Sequence, residues 1–237
     1  MRSFNVLYAG QLSFVECTQY HLPKIKGAKS VDAVFVKDVL FGKDLPTKTY
    51  RTDSYSVNGL DFEQSLDMFK QTVKPNTCVT INNDRYKDLS TYFKHQQLFM
   101  MIEHMKENDV VFLMTPELVF NRWAFINLKL ITLVTPQHSP KAFGWVVREG
   151  HINNHFMYFN RLAVQQLQSK WKTIQYNKEL YTEAIWYDVL TKCGIEIVPT
   201  NNANMSHRCL RFKPNMDYNK IKDYRYLDNQ RKQWAGI

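Results

Sequence analysis

An apolar run that ends in a carboxylate is the feature of this sequence best suited to chemistry. Asp109-Val110-Val111-Phe112-Leu113-Met114 carries no charge after its first residue, the pattern of a central strand covered on both faces. Thr115-Pro116-Glu117 ends it, because proline has no ladder donor. Just past such a strand, Glu117 can hold a divalent ion on a diphosphate, where the ion neutralises a leaving group as a Lewis acid. On spacing alone the same residue reads first as a solvated turn glutamate capping the next segment. Glu183 has a similar double reading: a general base within reach of an attacking hydroxyl, or a first-turn acid that complements a helix dipole. His151 and His155 stand four apart, a spacing that suits zinc on a helix. The Asn153-Asn154 pair between them and the aromatic run after them predict a loop and then a strand, which argues against zinc.

The elements that must position these groups alternate between strand and helix patterns. Strands are predicted at Asn5 to Tyr8, Val31 to Val36 and Thr77 to Ile81, all short and rich in apolar or β-branched residues. Gly10 permits a tight turn at the carboxyl end of the first, and such turns face ligands in open α/β sheets. From 41 to 58 the chain is polar and turn-rich, a loop. Leu98, Met101, Ile102 and Met105 recur at threes and fours, one face of a helix over 91–106. Further strands are expected at Leu130 to Val134, Gly144 to Arg148, Phe156 to Phe159 and Ile195 to Pro199. Helices are expected near 161–171 and 180–193, the second stopped by Gly194. This alternation implies an α/β fold with a mostly parallel central sheet flanked by helices, a catalytic domain over 1–200. After Asn201 periodicity is weak, and 201–237 reads as a basic, aromatic tail packed on that domain or ordered by ligand.

The 44% apolar content, with 15 Phe, 13 Tyr and 5 Trp, supplies a real core and excludes a disordered chain. The span from Met1 to the first apolar strand is too short for a secretion leader, and no run approaches the ~18 apolar residues of a membrane span, so a cytoplasmic protein is expected. Cys17, Cys78, Cys193 and Cys209 show no metal-ligand pairing and lie in or near apolar stretches, as reduced packing residues. Neither a glycine-rich phosphate loop nor a Gly-x-Ser-x-Gly elbow is present, which excludes P-loop kinases and ordinary serine hydrolases. A net charge of +9, from 31 Lys and Arg against 22 Asp and Glu, points to a polyanionic partner or surface.

Several short segments, taken in order, resemble the GT-A glycosyltransferases. Tyr92-Phe93-Lys94-His95-Gln96-Gln97, the helix after it and Asp109 to Leu118 resemble an aromatic-Lys-helix element followed by a strand ending Arg-Pro-Asp-Leu. Tyr8-Ala9-Gly10-Gln11-Leu12 is similar to the family's opening strand and Gly-Gln turn, Asn153-Asn154-His155-Phe156 to its Asn-Asp-x-Phe element, and Thr182-Glu183 to its late Pro-Glu helix. Thr115 stands where Arg is usual, Glu117 and Asn154 where Asp is usual, and Ser13 where Arg is often found. The resemblance implies a GT-A-like, Rossmann-like fold that moves a sugar from a nucleotide-sugar donor such as a UDP-sugar, with a divalent metal, Mn or Mg. It implies donor contact at Tyr8, Ala9, Gly10 and Gln11 and phosphate contact at Lys94. It further implies a place beside the transferred sugar for Asn154, metal ligation by Glu117 and His207, and an acceptor-side role for Glu183. By themselves Lys94 reads as an exposed helix lysine and His207 as a solvated loop histidine.

In the tail, Arg208, Arg211, Lys213, Lys220, Lys222 and Arg225 interleave with Phe212, Tyr218, Tyr224 and Tyr226. Cations for phosphates and aromatic faces for bases make a nucleic-acid groove; alternatively the aromatics pack on the domain and the cations stay in water. With the overall charge, DNA becomes a candidate acceptor. The Asn-, Lys- and Tyr-rich style is similar to T-even-like phage DNA glycosyltransferases, which implies hydroxymethylcytosine as acceptor and a base that leaves the stack. Sugar transfer to a surface glycan or a protein is the alternative reading, and a non-catalytic nucleic-acid-binding module on the same scaffold is a third.

Overall fold

The computed structural model describes residues 2–38, 56–83, 98, 100–120, 127–175, 177, 180, 182–200, 209–212 and 216–235. Its strands are β1 (Phe4–Gln11), β2 (Ser30–Asp38), β3 (Thr77–Asn83), β4 (Val110–Met114), β5 (Leu118–Phe120), β6 (Lys141–Arg148), β7 (His151–Asn160), β8 (Glu196–Pro199) and β9 (Cys209–Arg211). Seven form one sheet in the order β3-β2-β1-β4-β7-β6-β8, and β5 pairs with β9 in a second. The ladders β1–β2, β2–β3, β1–β4 and β6–β8 are parallel, and β7 runs antiparallel to β4 and β6. The mostly parallel, helix-flanked sheet expected from the sequence is the architecture found.

The helices are α1 (Leu22–Ile25), α2 (Phe62–Val73), α3 (100–104), α4 (Leu128–Val134), α5 (Arg161–Lys170), α6 (Thr182–Lys192) and α7 (Tyr224–Ala235). Because side chains alternate along a strand, β1 and β4 feed two cores at once. Val6, Tyr8, Phe112 and Met114 meet Ile25 of α1, Phe69 of α2 and Leu128 of α4 on one face. Leu7, Ala9, Val111 and Leu113 meet Ile102 of α3, Leu167 of α5 and Trp186 of α6 on the other. Caps set the helix ends. Asp61 accepts from the Gln64 amide at 2.9 Å and the Gln64 side chain answers the Asp61 amide at 3.0 Å, closing a capping box on α2. Gly194, at φ 74°, follows α6 as the predicted stop.

Three expectations are corrected. Leu130 to Val134 is helix, not strand: Asn127 accepts from the Lys129 and Leu130 amides at 3.1 and 3.2 Å, and Leu128 and Thr132 take the buried positions four apart. The β-branched content of that segment suggested a strand, and the cap with its helical burial pattern overrode it. No loop precedes the strand at Phe156, since β7 already begins at His151. The tail contains β9 and the twelve-residue α7, whose polar composition hides its period, and Phe212, Met216, Ile221 and Leu227 bury against Phe14, Cys17 and Val119. Cys17, Cys78 and Cys193 are free, Cys17 and Cys193 buried and Cys78 partly so. The loop expected over 41–58 lies outside the described residues up to 55, as do 91–97 and 99 of the helix expected over 91–106. No described helix is long and apolar enough to cross a membrane.

Candidate functional site

From β1 the chain winds outward through β2 and β3, then returns to β4 on the other side of β1. The carboxyl ends of β1 and β4 therefore separate two oppositely wound halves, and ligands of open α/β sheets bind in the crevice at such a switch point. The tight turn expected at Gly10 is not found there: β1 runs on through Gly10 and Gln11, which pair with Phe35 and Val36 of β2, and because Tyr8 pairs with Met114 the end of β1 lies beside Thr115-Pro116-Glu117 as these leave β4. Gly10 holds φ 108°, a region that favours glycine, and re-aims the strand's last residue. Phe14 follows at φ 48°, a costly conformation for an aromatic residue, held by burial of its ring edge-on to Phe212 at 5.0 Å. It opens a 3₁₀ helix, Val15–Tyr20.

Glu117 is buried, its carbonyl accepting from the Phe212 amide at 2.8 Å. Its carboxylate lies 3.5 Å from Nδ1 of His155, as does the Thr115 hydroxyl. A bulge delivers that imidazole. Gly144 pairs with Met157 and Val146 with Ile152, so a step of two on β6 is matched by a step of five on β7, and Asn153, Asn154 and His155 fall in the excess. Bulges of this kind re-aim side chains beside functional sites. Asn153 Oδ1 accepts from the His155 amide at 2.8 Å, which fixes the bulge, and the buried side-chain oxygen of Asn154 has no hydrogen-bond partner.

Glu16, on the 3₁₀ helix that follows β1, is buried. One of its oxygens accepts from the Ser56 hydroxyl and from the Asn58 amide at 3.0 Å; the other has no hydrogen-bond partner, nor has the buried Ser13 hydroxyl. Burial, and then the negative charges of Glu117 and Glu16, drive the Cys17 thiol well above its usual range, so it stays protonated and is no nucleophile. His21, also fully buried, ties the two strand ends together: Nδ1 is 3.0 Å from the Tyr8 hydroxyl on β1 and Nε2 is 2.5 Å from the Leu118 carbonyl on β5. A carbonyl only accepts, so Nε2 carries the proton and Nδ1 accepts from tyrosine.

The predicted site residues separate into groups. Gly10, Gln11, Glu117 and Asn154 come to one edge of the sheet. Tyr8 and Ala9 do not: both are buried, Tyr8 turned into one core and Ala9 into the other, because alternation along β1 points them away from the edge. α6 leads down into β8, which runs parallel to β6, so its first turn with the partly exposed Glu183 faces the carboxyl edge. Lys94, His207, Arg208 and Lys213 lie outside the described residues. Arg211 is in β9, its backbone opposite Leu118. Lys220 and Lys222 are exposed, Lys220 3.4 Å from Asp217 and 5.8 Å from the Tyr226 ring, Lys222 5.4 Å from the Tyr20 ring. Arg225 is exposed. Tyr218 does not face solvent for a base; its hydroxyl donates to the Glu16 carbonyl at 2.9 Å. Among the described residues no three His, Cys, Asp or Glu side chains gather as a metal site. Glu16 and His21 carried no signal in the sequence, and the meeting of Glu117 with His155 is set by strand pairing alone.

The sequence matches no known protein family and no curated protein. Solved structures align with it at low identity. A mannosyltransferase from Pyrobaculum calidifontis, in complex with GDP-Man and Mn2+, aligns over 84% of this chain and 54% of its own, at 10% identity and a TM-score of 0.48. The inositol-1-phosphate CTP transferase of T. maritima aligns over 98% of this chain and 97% of its own, at 12% and 0.45. The 4-diphosphocytidyl-2C-methyl-D-erythritol synthase of Anaerococcus prevotii aligns over 98% and 96%, at 8% and 0.43. The chain spans about half the length of the mannosyltransferase. Likenesses of this size assign no activity to this chain.

Proposed function

We propose that the protein transfers a sugar from a nucleotide-diphosphate donor, such as a UDP-sugar, to a hydroxyl acceptor, with the donor in the crevice between β1 and β4. The observation that carries this reading is the set of buried polar atoms without protein partners beside that crevice: Asn154 Oδ1, Glu16 Oε2 and Ser13 Oγ. Each such atom costs about 1–3 kcal/mol when left unmade, a cost that a ligand's hydroxyls and cations relieve. Asn154 then accepts from a sugar hydroxyl. A diphosphate next to Glu117 and Glu16 meets two carboxylates, so it docks only with positive charge between them. Glu117 and His155 would supply protein donors of the kind that Mg2+ or Mn2+ takes, with phosphate oxygens completing the shell. Such an ion, when bound, neutralises the departing diphosphate. Glu183 takes the proton of the acceptor hydroxyl as general base. Gly10 and Gln11 contact the donor, Lys94 its phosphates, and His207 adds a metal contact.

For the acceptor we infer DNA carrying hydroxymethylated cytosine, supported by the +9 charge and by the exposed cations Lys220, Lys222 and Arg225. The donor is tested by thermal stabilisation across a panel of nucleotide-sugars with and without Mn2+. A selective rise in unfolding midpoint is expected, together with a transfer rate that Glu117→Gln lowers by about a hundredfold or more. If no nucleotide-sugar moves the midpoint, the reading fails. Affinity for duplex DNA should fall steeply with salt. Indifference to DNA at low salt removes that acceptor in favour of a glycan or protein. DNA binding with neither donor binding nor transfer leaves a binding module on the same scaffold.

A further inference from the structure

α4 presents apolar side chains in two directions. Leu128, Ile131 and Thr132 face the core, whereas Leu130, Leu133 and Val134 are 55%, 49% and 69% exposed. Half of the large exposed apolar side chains among the described residues therefore sit on one seven-residue helix, a patch rather than the usual scatter. α1 lies on the same face of the sheet as α4 and carries exposed Leu22. Both helices lie in acid-free stretches of sequence. From Cys17 to Val31 the Lys and Arg residues are Lys24, Lys26 and Lys29, and from Leu118 to Arg148 they are Arg122, Lys129, Lys141 and Arg148, with no Asp or Glu in either. The patch is also held rigidly. The Arg2 guanidinium donates to the carbonyls of Thr132, Leu133 and Thr135 at 3.3, 2.7 and 2.8 Å, satisfying the end of α4.

An apolar ridge on stretches of sequence whose charged residues are all basic suits an anionic lipid surface, where leucines enter the acyl boundary and lysines meet headgroups. Of those basic residues Lys141 is held in an ion pair, to Glu196 at 2.8 Å. A second copy suits it less well, since a symmetric contact brings together two identical patches of basic sequence on chains of net charge +9. We propose that the face formed by α1 and α4 docks the protein peripherally on membranes rich in anionic lipid. This docking goes beyond sugar transfer and does not depend on it.

Co-sedimentation of the full chain with vesicles tests it, using phosphatidylcholine alone and phosphatidylcholine mixed with phosphatidylglycerol. Binding to the mixed vesicles, weakened by salt and absent from phosphatidylcholine, is expected. The combined substitution Leu130→Ser, Leu133→Ser and Val134→Ser should reduce it by about tenfold or more. These side chains are exposed, so the unfolding midpoint and the nucleotide-sugar response should stay as in the unsubstituted chain. Three results overturn the proposal: no binding to anionic vesicles at low salt, equal binding by the substituted chain, or a dimer in sedimentation equilibrium that the substitutions dissolve, which would make this face a contact between copies.

Discussion

Acidification should destabilise the fold through His21, and the size of the effect follows from its surroundings. The imidazole is fully buried between the Tyr8 hydroxyl and the Leu118 carbonyl, and burial is the main reason its pKa falls from 6.5 to about 4, against a smaller upward pull from that carbonyl. Both ring nitrogens are engaged by the neutral form, so a second ring proton has only the tyrosine oxygen to meet. In the unfolded chain the ring takes its proton near pH 6.5; in the folded chain it resists until about pH 4. The unfolded state thus binds more protons across that window. Stability is complete above pH 6.5 and declines as the pH falls through the window, levelling below the folded value. At about 1.4 kcal/mol per pKa unit the loss amounts to ~3 kcal/mol, a large fraction of the ~5–15 kcal/mol typical of a domain. Denaturant unfolding at several pH values between 7.5 and 4, on the native chain and on His21→Gln, measures it. The difference between the two curves isolates His21 from the other six histidines. The substituted chain should be less stable near neutrality and should lose ~3 kcal/mol less on acidification. Parallel curves over the whole range would refute the reasoning.

Two further substitutions test the packing around the site. Asn160 is fully buried and holds the Ala163 and Lys141 amides at 2.9 and 3.1 Å and the Pro136 and Ser139 carbonyls at 2.7 and 2.6 Å; Asn160→Ala should cost about 3 kcal/mol in urea unfolding. A Cβ at Gly144 would lie 2.7 Å from Ile152 Cδ1 and 2.9 Å from its Cγ1, so Gly144→Ala should cost about 1–3 kcal/mol by overpacking, and adding Ile152→Val should recover part of it. Unfolding midpoints for the single and double variants decide the second case, and equal midpoints would show that the bulged pairing of β6 with β7 relaxes around the added methyl.

Much of the scaffold was legible in the sequence because local pattern and final environment agree. The run Val110 to Met114 is apolar at every position because the strand is buried on both faces, and Gly194 marks a helix end because only glycine takes its backbone angle without strain. Where local preference and long-range packing disagree, packing decides. Leu130 to Val134 has the composition of a strand and is a helix, because Asn127 caps it and Leu128 and Ile131 lie against the core. The site was legible only in part. Glu117 was identifiable as a carboxylate beyond a buried strand, yet its partner His155 is 38 residues away, and no spacing rule relates residues on antiparallel neighbours before their register is known. Glu16 and His21 look like ordinary polar residues in the sequence. Their burial comes from the tail, β5 and the 3₁₀ helix closing over the ends of β1 and β4, contacts between segments up to 202 residues apart such as Tyr218 with Glu16. Strand, helix and cap preferences are local and can be read in order along the chain. Burial, pairing register and the charge around a carboxylate depend on which distant segments fold against each other, and only the tertiary structure determines them.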